Sequence, residues 1–91
     1  MYLSDNYFNP ATGATLGIDV LVAQSGEVKV IVYNMMAEEV DKLVDQSLNP
    51  GSYHFLWDGH NRFGDMVGNG VYLVVIEQPS GNFIRKVIVL K

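Results

Sequence analysis

Apolar and polar residues alternate with a period of two over most of this chain, and that period belongs to half-buried β-strands. Leu16, Ile18, Val20 and Val22 are interleaved with Gly17, Asp19 and Leu21, so one face of the segment is apolar. After Gln24-Ser25-Gly26 the alternation resumes from Glu27 to Tyr33, with Val28, Val30 and Val32 on one side. Two such runs around a short turn predict a β-hairpin. Tyr53, Phe55 and Trp57 share one face of a third run, which follows the turn signal Asn49-Pro50-Gly51. Val71 to Ile76 is apolar on both faces, the mark of a central strand. Pro79-Ser80-Gly81-Asn82 predicts a hairpin loop, and Phe83 to Leu90 a last strand interrupted by Arg85-Lys86.

Two stretches depart from this pattern. Residues 1–14 combine Tyr7 and Phe8 with the turn signals Asn9-Pro10 and Thr12-Gly13. A proline holds its predecessor extended and removes a backbone donor, so this is an edge strand or a lead-in tacked down by the two aromatics. Further on, Met36, Val40, Leu43, Val44 and Leu48 stand at three- and four-residue spacing, and Ala37, Glu38, Glu39 and Lys42 favour helix. A helix of roughly eleven residues is marginal, and no capping box accompanies Asn34. The alternative is a turn at Asn34–Ala37 and a strand around Glu39 to Leu43. With that strand included, seven short strands separated by regular turns predict an all-β, two-sheet antiparallel sandwich.

Composition narrows the function more than the fold. At 91 residues the chain encloses one core, so residues 1–91 form a single domain. The net charge is −4 and no basic cluster occurs, which argues against nucleic acid and anionic membranes as partners. The absence of cysteine excludes a disulfide framework and a thiolate metal site, but fits both cytosol and exterior. No apolar run approaches the ~20 residues of a transmembrane helix, so membrane insertion is not expected. Met1 to Asp5 has neither a basic nor an apolar leader region, so it does not read as a signal peptide.

Candidate chemistry is sparse. Asp58, Asn61 and Asp65 could offer oxygens to calcium, yet they lack the ligand ladder and terminal glutamate of an EF-hand. Asx side chains that accept from loop amides account for them as well. His54 lies on the face opposite Tyr53 and Phe55, and His60 sits in a polar loop; neither has a nucleophile at motif spacing. The glycines at 59, 64, 68 and 70 precede no helix that could bind phosphate. Trp57 invites a carbohydrate-binding reading, although its register with Tyr53 and Phe55 sends it into the core. No catalytic residue, metal or cofactor is expected.

Several motifs together carry a resemblance. Trp57-Asp58-Gly59, Asn61, Gly64, Val67, Gly70-Val71-Tyr72 and the closing Arg85-Lys86-Val87-Ile88-Val89-Leu90-Lys91 resemble the immunoglobulin-like domain of the flagellar hook-capping protein. Similar modules end many secreted bacterial proteins. Asn6-Tyr7-Phe8-Asn9-Pro10-Ala11 is similar to the family's Asn-Pro lead-in, and Val30-Ile31-Val32-Tyr33-Asn34 to its central strand. The chain departs from the family at Ala37, where a glycine is usual, and at Asn61, where aspartate is common.

The resemblance implies a seven-stranded antiparallel immunoglobulin-like sandwich, and it favours strand over helix for Met36–Val44. It casts Trp57, Asp58, Gly59, Gly70 and Tyr72 as a structural motif. It implies a non-catalytic C-terminal accessory module of an exported bacterial protein, extracellular or in the cell envelope. Its partners would be neighbouring domains of the parent protein or a secretion or cell-surface component. C-terminal sorting domains of type IX secretion are similar too, sharing the Asn-Pro lead-in and the Lys-ended strand; on that reading Lys86 and Lys91 would be solvent-facing contacts of the export machinery. Fold alone does not separate these readings from a carbohydrate-binding module, because function lives in sites placed on a fold.

Overall fold

The computed structural model describes residues 7–91; the expectations for residues 1–6, including Asn6 of the lead-in motif, lie outside them. Seven strands follow one another: β1 (Tyr7–Phe8), β2 (Leu16–Val22), β3 (Gly26–Asn34), β4 (Glu39–Leu48), β5 (Gly51–Trp57), β6 (Gly70–Gln78) and β7 (Gly81–Val89). They form a five-stranded sheet in the order β1-β7-β6-β3-β4 and a two-stranded sheet of β2 and β5. All pairs are antiparallel except β1 with β7, where Tyr7 and Phe8 run parallel to Ile88 and Val89. A 3-10 turn over Pro10–Thr12 follows β1, opened by the Asn9 side chain, which accepts from the Ala11 N–H at 2.9 Å.

The alternating residues meet between the sheets. Ile18, Val20 and Val22 of β2 face Val28, Val30 and Val32 of β3 and Val74 and Ile76 of β6, all buried in one cluster. Fully burying such a side chain contributes about 1.5–3 kcal/mol relative to leaving it exposed, so this cluster supplies most of what holds the sheets together.

β2 and β3 do not form the expected hairpin: β2 pairs with β5, and β3 lies between β4 and β6. The turn around Gln24–Ser25 instead carries the chain from one sheet to the other. Alternation specifies which face of a strand is buried, not which strand lies beside it. The valines of β2 and β3 are therefore opposed across the core instead of adjacent in a sheet. Gly26 makes the crossing possible, because a Cβ there would lie 2.5 Å from the Pro79 ring.

Glu39–Leu48 is a strand, longer than the sequence pattern implied, and its helix-like spacing has a local cause. The β3–β4 register shifts twice: Val30 and Ile31 pair with Val44 and Lys42, and Val32 and Tyr33 with Asp41 and Glu39. Leu43 and Val40 are the extra residues at these β-bulges. A bulge resets which face the next side chain joins. Val40 and Val44 consequently both reach the core, with Leu43 packed against it. Three- and four-residue spacing in this strand records two bulges, not a helix.

The β3–β4 turn holds Ala37 at φ 64°, the one non-glycine with positive φ among the described residues. Asn34 organises the turn: its Oδ1 accepts from the N–H groups of Met36 and Glu38 at 2.9 and 3.0 Å. A left-handed conformation costs an L-residue roughly 1–2 kcal/mol. Ala37→Gly removes that strain but adds about 0.4–1 kcal/mol of unfolded-state entropy. The variant is expected to gain about 0.5 kcal/mol in urea denaturation, and a loss of stability would show that the turn is unstrained.

Candidate functional site: a tryptophan-anchored loop and an apolar sheet face

Trp57 ends β5 and is wholly buried. Phe8 and Tyr72 meet its ring edge-on, each with centroids 5.6 Å away. A buried indole N–H needs an acceptor, and the His60 carbonyl supplies one at 3.0 Å. That bond folds the chain back immediately after the strand. Gly59 makes the reversal at φ 79°, where a Cβ would come within 2.4 Å of Pro10. Its carbonyl accepts from the Val67 N–H at 2.9 Å, closing the base of the loop.

Within the loop the Asx residues cap backbone donors. Asp58 Oδ1 accepts from the His60 N–H at 3.0 Å, and Asn61 Oδ1 from the N–H groups of Phe63 and Asp65 at 2.9 and 3.0 Å. Gly70 begins β6 at φ 150°, and two residues on the Tyr72 hydroxyl donates to the Gly68 carbonyl at 2.8 Å. Trp57, Asp58, Gly59, Gly70 and Tyr72 thus belong to one construction around the loop. Lys91 joins it: its Nζ donates to the Val67 carbonyl at 2.7 Å, and its N–H to Asn69 Oδ1 at 2.7 Å. Its ammonium is therefore tied to the loop, although the residue as a whole is exposed. Lys86 lies apart, exposed on β7.

The cross-strand pair of His54 and Asp19, with Nδ1 and Oδ1 2.6 Å apart, was not legible in sequence because the partners are distant along the chain. The β2–β5 register sets them directly opposite. Ser52 shares their shallow hollow, but no hydrogen bond joins it to His54 among the described residues. The histidine is more than half exposed. Among the described residues no nucleophile is bonded to this exposed pair, which leaves it as a polar cross-strand contact on the surface.

The outer face of the five-stranded sheet is the other feature of note. Paired rows place Ile88 beside Val71, Lys86 beside Leu73 and Tyr33, and Ile84 beside Val75 and Ile31. These side chains point away from the second sheet. Ile31 is 5% exposed yet stands outside the core cluster, because its neighbours on this face cover it. Ile84 is 66% exposed and Tyr7, at the margin, 59%. Charges gather towards the rim, where Glu77 is paired with Lys29 and Glu39 lies beside Tyr33.

A five-stranded sheet facing a smaller one, closed by a tryptophan-anchored loop, defines an immunoglobulin-like β-sandwich. The chain belongs to the FlgD Ig-like domain family, matching it over residues 5–85. A comparison with curated proteins finds no match. Among solved structures it is similar to FlgD from P. aeruginosa, with a TM-score of 0.63 and 22% identity over 82% of this chain and 61% of that one. PorZ of Porphyromonas gingivalis, a bacterial surface component of the type-IX secretion system, gives a TM-score of 0.58 at 16% identity over 99% of this chain and 11% of PorZ. Dimeric latent PorU from the same organism gives 0.54 at 18% identity, over 85% of this chain and 9% of PorU. At these identities the likenesses concern the fold, and the chain spans only part of each protein.

Two outcomes test the loop. Trp57→Ala should cost about 3–5 kcal/mol in denaturant melts, and a loss below ~1 kcal/mol would mean that the ring is not an anchor. The Asp41 carboxyl is held above its ordinary value, first by burial; the Lys42 N–H opposes this, and the nearby Asp58 and Glu39 add to it. A raised carboxyl pKa means stability present at low pH that is lost as pH rises through the folded value. Asp41→Asn removes that loss, so the variant should be the more stable of the two above this range, with the difference vanishing in acid.

Proposed function

We propose that this domain is a non-catalytic accessory module of an exported bacterial protein, extracellular or in the cell envelope, docked on a neighbouring domain of its parent. The observation that carries this reading is the apolar outer sheet face on an otherwise acidic domain. The apolar rows span three strands ~4.8 Å apart, and at ~6.8 Å between rows they give that face an area of about 300 Å², or about 600 Å² counting both partners of a contact. A stable complex between separate proteins buries about 800 Å² on each partner, whereas interfaces between domains of one chain bury ~600–1,500 Å² in total. The face has the size of a domain–domain contact. Its charged rim and apolar centre follow the usual anatomy of interfaces. The partial coverage of FlgD, PorZ and PorU supports the same reading, since in each the similar region is part of a longer chain.

Carbohydrate binding through Trp57 finds no support, because the buried ring has no face free for stacking. Hydroxyl-radical footprinting tests the proposal. Leu73, Val75 and Ile84 should be labelled in the isolated domain and protected in the intact parent protein, and equal labelling would refute the contact. The rival reading, a type IX sorting signal, predicts that export machinery reads Lys86. Lys91 is a poor probe because its substitution would loosen the loop. On the accessory reading Lys86→Ala stays folded, shifts stability by less than about 0.5 kcal/mol and leaves export unchanged. Folded variant retained in the periplasm would decide for the sorting signal.

A further inference from the structure

The negative charge of the domain is gathered at one end. The β3–β4 turn and the loop after Trp57 lie together there, because Asn34 at the close of β3 pairs with Tyr72 near the start of β6. The Arg62 N–H donates to the Val40 carbonyl at 2.9 Å and fastens loop to strand. This end carries Glu38, Glu39, Asp41, Asp58 and Asp65 against Arg62 and Lys91. The other charged side chains among the described residues cancel: Asp19, Glu27, Asp45 and Glu77 stand against Lys29, Lys42, Arg85 and Lys86. The crowding is felt at Asp41, whose carboxyl is held above its ordinary value first by burial and then by the charges of Asp58 and Glu39.

The same end is apolar at its surface. A hollow of about 430 Å³ opens between turn and loop, lined by Glu38 and Glu39 from the turn, Phe63 and Met66 from the loop, and Tyr72. Phe63 is 74% exposed, and Met36 at the tip of the turn 81%. Both are carried on capped backbone: Asn61 Oδ1 accepts from the N–H groups of Phe63 and Asp65, and Asn34 Oδ1 from those of Met36 and Glu38. Apolar side chains are thus presented beside carboxylates on two organised turns. Residues 1–6 do not change the charge balance, since they contain no lysine or arginine. They precede β1, which stands at the opposite edge of the larger sheet from β4, four strand spacings or about 19 Å away. β1 also runs parallel to β7 and towards the loop end, so its N-terminal side faces away from the hollow.

We propose that this end of the sandwich is a docking surface for a basic, amphipathic segment of a different protein. An apolar side chain of that segment seats in the hollow against Phe63 and Met66, and its lysines or arginines meet Glu38, Glu39 and Asp65. Complementary charge speeds encounter and fixes orientation, whereas a buried apolar anchor supplies affinity. Methionine suits such a surface, because its unbranched side chain adapts to the shape of a partner. Arg62 does not invite an anion instead: its guanidinium lies 5.1 Å from the Phe63 ring centroid and 3.6 Å from Glu39, so its charge is already matched. Two copies of this chain meeting end to end would oppose like charges, which leaves a different protein as the occupant. The outer sheet face takes no part in this contact.

The test uses the full chain and a fluorescein-labelled peptide of repeated Lys-Leu-Phe-Lys. Two control peptides replace its lysines by glutamate or its apolar residues by serine. Fluorescence anisotropy at low salt should give a dissociation constant below about 1 mM for the parent peptide, and each control should bind at least about tenfold more weakly. Raising the salt to ~0.5 M should weaken the parent peptide, because exposed charges are screened. Glu38→Gln combined with Asp65→Asn, and separately Phe63→Ser, should each weaken it about fivefold or more. All three side chains are exposed, and circular dichroism melts establish that the variants are folded. Amide chemical shifts should move over residues 34–39 and 61–68 and stay fixed at Leu73 and Val75. Four results would overturn the proposal: no binding at millimolar peptide; binding indifferent to peptide charge or to Phe63→Ser; shifts confined to the outer face; or concentration-dependent self-association that moves the same amides without peptide.

Discussion

The indole of Trp57 sets the constraint on which the rest depends. Placed in the centre of an apolar core, it carries one polar group that cannot be left without a partner. The His60 carbonyl meets that need, and in doing so dictates a sharp reversal at Gly59. The loop then lies across the end of the sandwich, and the Val67 carbonyl becomes the acceptor for the last side chain, Lys91. A single hydrogen-bonding requirement links the end of β5, the start of β6 and the C-terminus.

Much of this was legible from residue pattern, and the rest was hidden for definable reasons. The faces of β2 and β3 follow from Ile18 and Val30, because a strand with period two can bury its apolar set only one way. β6, apolar on both faces, was legible as a central strand, but not the side that Val74 joins. The pairing of β2 was not legible, since the same alternation serves a hairpin neighbour or an opposed sheet equally well. Residues 36–48 read as helix until the bulges at Val40 and Leu43 are seen; only the resemblance pointed to strand. For the loop, the Asx pattern of Asp58 and Asn61 was visible in sequence, whereas the tie from Lys91 to Val67 joins segments that nothing local connects. Solvent-facing placement of Lys91 was a reasonable expectation for a terminal lysine. The residue is exposed, and its ammonium is in addition tied to the Val67 carbonyl.

The two sheets differ in what they leave exposed. The larger one covers its inner face completely enough to build the core, yet its outer face remains apolar at Leu73, Val75 and Ile84. The smaller one is too narrow to shield Phe83 and Arg85 on the inner side of β7. Both surfaces have one origin, the unequal division of seven strands. An even division would cover more of the inner side and leave a narrower outer face.

The parallel contact of β1 with β7 has a mechanical meaning. Tyr7 and Phe8 enter the domain alongside Ile88 and Val89 as the chain leaves it. Tension applied at both ends would pull these strands in opposite directions along their axes. Their hydrogen bonds, together with that from the Leu90 N–H to the Phe8 carbonyl, would then share the load in shear instead of opening one after another. The resistance of the domain to pulling would be concentrated at this small seam, beside the Phe8 ring that packs on Trp57.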